Sequence, residues 1–276
     1  MHAMGHGIMK SLPRLLLEVQ YISVTGDSGC GSMRLWSLLF AEILIRTMPN
    51  YHIQHVVFSP LQLGMGVNRY RIYVVCLRKD RLRWASPRDL ESTLKELFFR
   101  SSVLNGSAYF RAPSHEVKAF VQAVAAKRGL STHLPDGTEL EYKHICVRGY
   151  KVRENCYREL VASARRRLHD EDDDFICDMQ QYTSMGSLTR HVPALTRGAS
   201  PHSLALRRPM LSKERMEVMG FPYYTPPDFV FSSPLASMVR SGQLSDRDLG
   251  GLLGNSMHAA AIGAILMLVL GCTERV

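Results

Sequence analysis

Gly66-Val67-Asn68-Arg69-Tyr70-Arg71-Ile72-Tyr73-Val74-Val75 sets two arginines, one residue apart, at the mouth of an apolar strand. Successive side chains of an extended segment alternate faces, so Arg69 and Arg71 are expected to point the same way. Two guanidiniums so placed form a fixed donor array for planar polar groups such as phosphates or a nucleobase. A pair of solvated arginines at a strand end is the plain alternative, and the rest of the chain has to decide between them.

Outward from that stretch, the N-terminal part alternates strand and helix. Tyr51 to Phe58 is rich in β-branched and aromatic residues, and Arg71 to Leu77 repeats the pattern. The residues between them, 59–66, are too few for a parallel crossover, which predicts neighbouring antiparallel strands. Upstream, Pro13 to Val19 reads as a short buried strand ending near Glu18, followed by a glycine-rich break at 26–32. Arg34 to Met48 reads as a helix close to apolar all round, stopped by Pro49. Strand, helix and hairpin together predict an α/β fold.

Past Lys79 the pattern changes. Ser86-Pro87 predicts a helix with proline at its first position, running to about Phe99. Ser114-His115-Glu116 opens another that closes near Gly129, and Pro135-Asp136-Gly137 makes a turn. A third helix is expected from about Asn155 to Leu168, where Arg165-Arg166-Arg167 abuts the acidic block 170–174. Residues 81–205 read as a separate, irregular module. Regular structure returns with Ser212 as a helix cap, a stop at Gly220-Phe221-Pro222, and a short helix from Ser245-Asp246 to Leu253. Gly254-Asn255-Ser256 then leads into an apolar helix over 257–271, where free N–H donors suit a ligand carboxylate or hydroxyl.

The chain has 276 residues, 46% hydrophobic and 21% charged, which is ordinary for a soluble globular protein. Its formal net charge of +9 favours a polyanionic partner, with nucleic acid first and anionic membrane second. Six cysteines without a CxxC pair read as reduced thiols of an intracellular protein. His144, Cys146, Cys156 and Cys177 fit no standard zinc spacing, so no metal is expected. No signal peptide is visible. The uncharged run 257–272 is shorter than the ~20 apolar residues of a membrane span, which predicts a buried C-terminal helix and no membrane partner.

Four segments, in this order, resemble the later motifs of the DNA (cytosine-5)-methyltransferases. Gly66 to Ile72 is similar to the family's Gln-x-Arg-x-Arg motif, with Val67 where glutamine is usual. Pro193-Ala194-Leu195-Thr196-Arg197 resembles a Pro-x-Leu-Thr-Arg element. Met210-Leu211-Ser212-Lys213-Glu214 through Met219-Gly220-Phe221-Pro222 resembles the segment that closes the target-recognition module. Gly254-Asn255-Ser256 before an apolar helix resembles the last motif, which completes the cofactor pocket.

The resemblance implies an incomplete S-adenosylmethionine-dependent, Rossmann-like sheet carrying an inserted recognition module. Residues 1–80 and 206–276 would belong to the catalytic part and 81–205 to the module. It implies methyl transfer from S-adenosylmethionine to C5 of a cytosine turned out of duplex DNA, and a nuclear location. Arg71 would contact the base, Arg69 would orient it or the DNA-binding loop, Glu18 would be the remnant of the acid that bonds cytosine N3, and Asn255 and Ser256 would lie at the cofactor pocket. The module would read bases in the major groove. The family's Phe-x-Gly-x-Gly loop and Pro-Cys nucleophile are absent here, and Cys30, in Ser28-Gly29-Cys30-Gly31, is a poor substitute. The expectation is a truncated homologue, inactive alone, or else a non-catalytic DNA-binding partner of a complete enzyme.

Overall fold

A computed structural model describes residues 39, 42–101, 103–145, 148–168, 174–179, 189–196, 199–224 and 233–276. The expected strand 13–19 with Glu18, the break 26–32 with Cys30, most of the first helix, Cys146 and Arg197 lie outside the described residues. In chain order the strands are β1 (Tyr51–Phe58), β2 (Arg71–Arg78), β3 (Leu82–Trp84), β4 (Ile176–Asp178), β5 (Pro201–Ser203), β6 (Arg208–Pro209) and β7 (Thr273–Arg275). The helices are α1 (Leu90–Phe98), α2 (Ser114–Lys127), α3 (Tyr142–Ile145), α4 (Arg148–Leu168), α5 (Ser212–Val218), α6 (Pro234–Arg240), α7 (Asp246–Asn255) and α8 (Ala259–Cys272). Residues 42–47, within the expected first helix, are also helical.

The chain forms two compact units. One holds the residues up to Phe58, Arg71–Leu97 and Ile265–Val276; the other holds Ser59–Tyr70 and Phe98–Ala264. Strand pairing among the described residues is modest: β1 with β2, β3 with β7, and a three-stranded β4-β5-β6 sheet, all antiparallel. The architecture is therefore mixed helix and strand built on small sheets.

In the first unit the predicted hairpin is present, in register from Tyr51 opposite Arg78 to Phe58 opposite Arg71. Seven consecutive residues of β2, Arg71 to Leu77, are buried. Burial on both faces explains why its apolar run is continuous rather than alternating. Phe58 and Tyr73 pack with ring centroids 4.7 Å apart and planes tilted by 32°, and Gln54 Oε1 accepts from the Leu90 amide at 2.6 Å. Helix α1 starts at Leu90, three residues after Pro87. Asp89 supplies the cap instead, its carboxylate accepting from Ser92 N–H at 2.7 Å, while Ser86 Oγ takes the Arg88 amide in a turn.

The second unit carries the larger described core, from Val67, Tyr109, Ile176, Val192 and Leu195 to Met216, Met219, Leu249 and Leu253. Helix α4 begins at Arg148, seven residues ahead of the expected Asn155. Ser212 is the first residue of α5, not its cap. Leu211 occupies the cap position and its amide is taken by Glu214 Oε2 at 2.8 Å. At the other end Gly220 (φ 80°) closes α5 as expected, with Gly220 N–H donating to Glu217 O and Phe221 N–H to Met216 O. Ser245 caps α7 as expected, its Oγ accepting from Asp248 N–H at 3.2 Å.

The C-terminal helix differs from its expected burial. The helical stretch Asp246–Cys272 is long and apolar enough to cross a membrane, but it breaks at Ser256 into α7 and α8. Ile265, Leu268 and Val269 of α8 are buried, whereas Leu266, Met267 and Leu270 are exposed.

Candidate functional site

Burial removes the solvated-pair reading of the two arginines: Arg69 is 1% exposed and Arg71 5%. They occupy different settings. Arg71 opens β2 opposite Phe58 in the first unit. Arg69 lies two residues ahead of the strand, in the second unit, where side-chain alternation does not extend.

The chain reaches Arg69 through a tightly held loop. Ser59 Oγ accepts the Arg69 amide at 2.8 Å and donates to Val67 O at 3.1 Å, closing the loop on itself. Val192 bridges the same segment, its amide donating to Gly66 O at 2.8 Å and its carbonyl accepting from Asn68 N–H at 2.9 Å. Gly66 is required by contact rather than by dihedral angle, since a Cβ there would stand 2.4 Å from Leu104 O.

The Arg69 guanidinium collects three backbone carbonyls from two remote segments. Nη1 donates to Leu195 O, and Nη2 donates to Gly254 O at 2.9 Å and Ser256 O at 3.0 Å. Gly254 and Ser256 lie at the C-terminal end of α7, where unpaired carbonyls and the helix dipole favour a cation. The segment 254–256 thus meets Arg69 through carbonyl oxygens and ends a helix, where free N–H donors ahead of one were expected. A fourth segment joins through Ala259 N–H, which donates to Met219 O at 2.9 Å. Parts of all four stretches singled out in the sequence, Gly66 to Arg69, Leu195, Met219 and Gly254 to Ala259, meet in the second unit.

Two further groups complete the surroundings. His258 is 2% exposed, and burial pulls its imidazole down to about 4, with the Val218 carbonyl opposing and the Arg69 charge adding to the effect. It is held neutral at ordinary pH. Beneath α5, Glu214 is fully buried and grips Arg208 with both oxygens, at 2.7 and 2.8 Å, while also accepting from Leu211 and Ala112 amides at 2.8 Å each.

Of the predicted site residues, Arg69 is central here, Ser256 contributes its carbonyl, and Asn255 is the exposed last residue of α7. Ser256 Oγ donates to Leu253 O at 3.0 Å. Ser59, Arg208 and His258 escaped sequence reasoning. A serine next to Pro60 that caps a short turn was the one legible signal among them. Among the described residues there is no cluster of metal-ligating side chains, and burial pushes the Cys177 thiol well above its usual range, removing it as a nucleophile.

No known family's sequence profile matches the chain, and no curated protein matches it. Among the solved structures that resemble it are two methyltransferases. A methyltransferase of Entamoeba histolytica, EhMeth, is 16% identical with a TM-score of 0.41, covering 88% of this chain and 61% of its own. The Dnmt2 methyltransferase of S. pombe is 13% identical with a TM-score of 0.40, covering 89% of this chain and 64% of its own. The chain thus spans less than two thirds of either structure. At these values the likenesses assign neither fold nor activity.

Proposed function

We propose that this chain is the later part of a cytosine-5 methyltransferase-type catalytic domain acting on DNA. The observation that carries the reading is the convergence on Arg69 and α5 of the four segments that resemble the family's later motifs. Each motif alone is a weak match. Their meeting through named hydrogen bonds is a relation that chance resemblances scattered over 190 residues would not share.

In this reading Arg71 contacts the carbonyl oxygen of an extruded cytosine, and Arg69 positions the segment that bears it. S-adenosylmethionine, when bound, supplies the methyl group. Asn255 retains an uncommitted, exposed amide, and Asn68 Oδ1 is buried without a hydrogen-bond partner. Those two amides have the capacity to hold parts of such a cofactor, whereas Ser256 is committed to Leu253 and Arg69. The nucleophile is not supplied by this sequence, because no cysteine follows a proline. The chain alone is therefore expected to be inactive.

The test is transfer of labelled methyl groups to cytosine-containing duplex. We expect none from the chain alone, transfer on adding a polypeptide bearing a Phe-x-Gly-x-Gly loop and Pro-Cys, and loss of that transfer with Arg71→Ala. Duplex binding in the absence of any complementable activity, and unaffected by Arg71→Ala, would favour a non-catalytic DNA-binding partner instead.

A further inference from the structure

The first unit ends in an exposed surface that is apolar along its helix and cationic beyond it. Its last helical turns expose Leu266, Met267 and Leu270, at 39%, 64% and 68%, while Ile265, Leu268 and Val269 are buried. This spacing puts the exposed three on one stripe of α8 with no charge among them. The helix runs straight into β7, which pairs with β3: Leu82 opposite Arg275, Arg83 opposite Glu274, Trp84 opposite Thr273. Ala85 N–H donates to Cys272 O at 2.8 Å and Val276 N–H to Arg81 O at 3.1 Å, tying the helix end to the β2–β3 turn.

That turn and β7 carry Arg78, Lys79, Arg81, Arg83 and Arg275, all exposed, against Asp80 and Glu274. Asp80 pairs with Arg78 at 2.7 Å, and Glu274 with Arg83 at 2.6 Å. Arg81, its side chain 74% exposed, stands 3.8 Å from Asp80. Arg71 lies at the opposite end of β2, about 24 Å away at ~3.4 Å per residue. The patch is therefore distinct from that residue's surroundings.

We infer that the C-terminal helix and the β2–β3 turn form a docking surface for an anionic membrane. An uncharged stripe on a helix that leads directly into a turn and strand with surplus cations suits a lipid interface, where apolar side chains enter the headgroup boundary and arginines meet lipid phosphates. The helix lies on the bilayer and does not span it. Nucleic acid would engage the cations but leave the stripe unsatisfied. A second copy would set like charges together, and three side chains bury far less than the ~800 Å² per partner of a stable interface.

Co-sedimentation of the 276-residue chain with vesicles tests it. We expect binding to phosphatidylcholine vesicles containing phosphatidylserine, and little binding to phosphatidylcholine alone. Arg275→Ala and Arg81→Ala should each weaken binding about fivefold. The double variant Met267→Ser/Leu270→Ser should weaken it by more than about tenfold. All these side chains are exposed, so an unchanged urea midpoint certifies folding. Absence of binding, equal binding to both vesicle types, or binding indifferent to the double variant would overturn the proposal. So would a concentration-dependent dimer that the double variant abolishes, which would make a second copy the occupant.

Discussion

Two buried arginines of the second unit are held in opposite ways. Arg69 donates to three neutral carbonyls that lie 126, 185 and 187 residues away in sequence. Arg208 donates to the carboxylate of Glu214, six residues on, in a two-pronged ion pair. The first arrangement joins remote segments and the second organises one local corner, where the same carboxylate caps α5 and takes the Ala112 amide. Charge pairing within a local corner is legible from residue types. Recognition of carbonyls is not, because every residue carries one.

Removing Arg69 should have one of the two largest effects. Arg69→Met strands one buried acceptor, Leu195 O, and two half-buried ones, Gly254 O and Ser256 O; at roughly 1–3 kcal/mol for the first and less for the others, a loss of about 3–4 kcal/mol is expected. Since small domains are stable by only about 5–15 kcal/mol, urea denaturation should show a markedly weakened unit. Arg69→Lys should recover part of the loss, because an ammonium lacks the planar fork that reaches separated carbonyls. A cost below about 1 kcal/mol for Arg69→Met would show that the three segments converge without it.

Glu214→Ala should cost about 4 kcal/mol, the range for breaking one side of a buried ion pair. Here the local arrangement predicts something the Arg69 arrangement does not. The double variant Arg208→Met/Glu214→Leu should regain much of the loss, since an apolar pair can replace a buried ionic one. No single second substitution should rescue Arg69→Met, whose partners are main-chain atoms. Failure of the double variant would mean that the Leu211 and Ala112 amides, rather than Arg208, are what Glu214 chiefly serves.

Each arginine also has a buried histidine within its field, and these separate the two regions by pH. Burial lowers His258 to about 4, with Arg69 adding to the shift. Burial likewise lowers His202 to about 4, with Glu154 opposing and Arg158, Arg207 and Arg208 adding. Both folded values lie below the ordinary value near 6.5, so the unfolded chain binds more protons between them. Stability is then complete above about pH 6.5 and falls as pH drops toward 4, by about 3 kcal/mol per histidine. Urea midpoints between pH 7 and 5 should fall with a slope that His258→Gln reduces by about half. An unchanged slope would place the acid sensitivity elsewhere, in the carboxylate pairs.

The same contrast explains what the sequence could and could not announce. The β1–β2 hairpin was legible to within a residue because β-branched and aromatic residues fill both strands and the link is too short for a crossover. Gly220 and Ser245 announced a stop and a start because one suits a positive φ and the other a cap. The start of α4 was not legible because its first turns, Arg148 to Glu154, hold only Tyr150 and Val152 as apolar residues, two apart and not at helical spacing. Helix α1 starts later than Pro87 suggests because the Asp89 carboxylate, not the proline, meets its first free amides. At the candidate site the residue names were legible and their bonding was not. Asn255-Ser256 looked like a donor segment because helix α7 was expected to end at Leu253 rather than run on to Asn255.

Gly220 joins the two regions and carries the smallest effect. It ends the helix that Glu214 begins, and a Cβ at its position would stand 3.0 Å from the Cβ of Ala259, three residues past the Ser256 carbonyl bonded to Arg69. Gly220→Ala therefore meets two obstacles: a left-handed backbone at φ 80°, costing about 1–2 kcal/mol, and a contact tighter than ordinary packing. A double-mutant cycle with Ala259→Gly separates them. Relief of the contact should appear as a coupling of about 0.5–1 kcal/mol, while the backbone cost persists in the double variant. Zero coupling would mean that α8 shifts freely against the end of α5, and the two arginine-centred regions would then be mechanically independent.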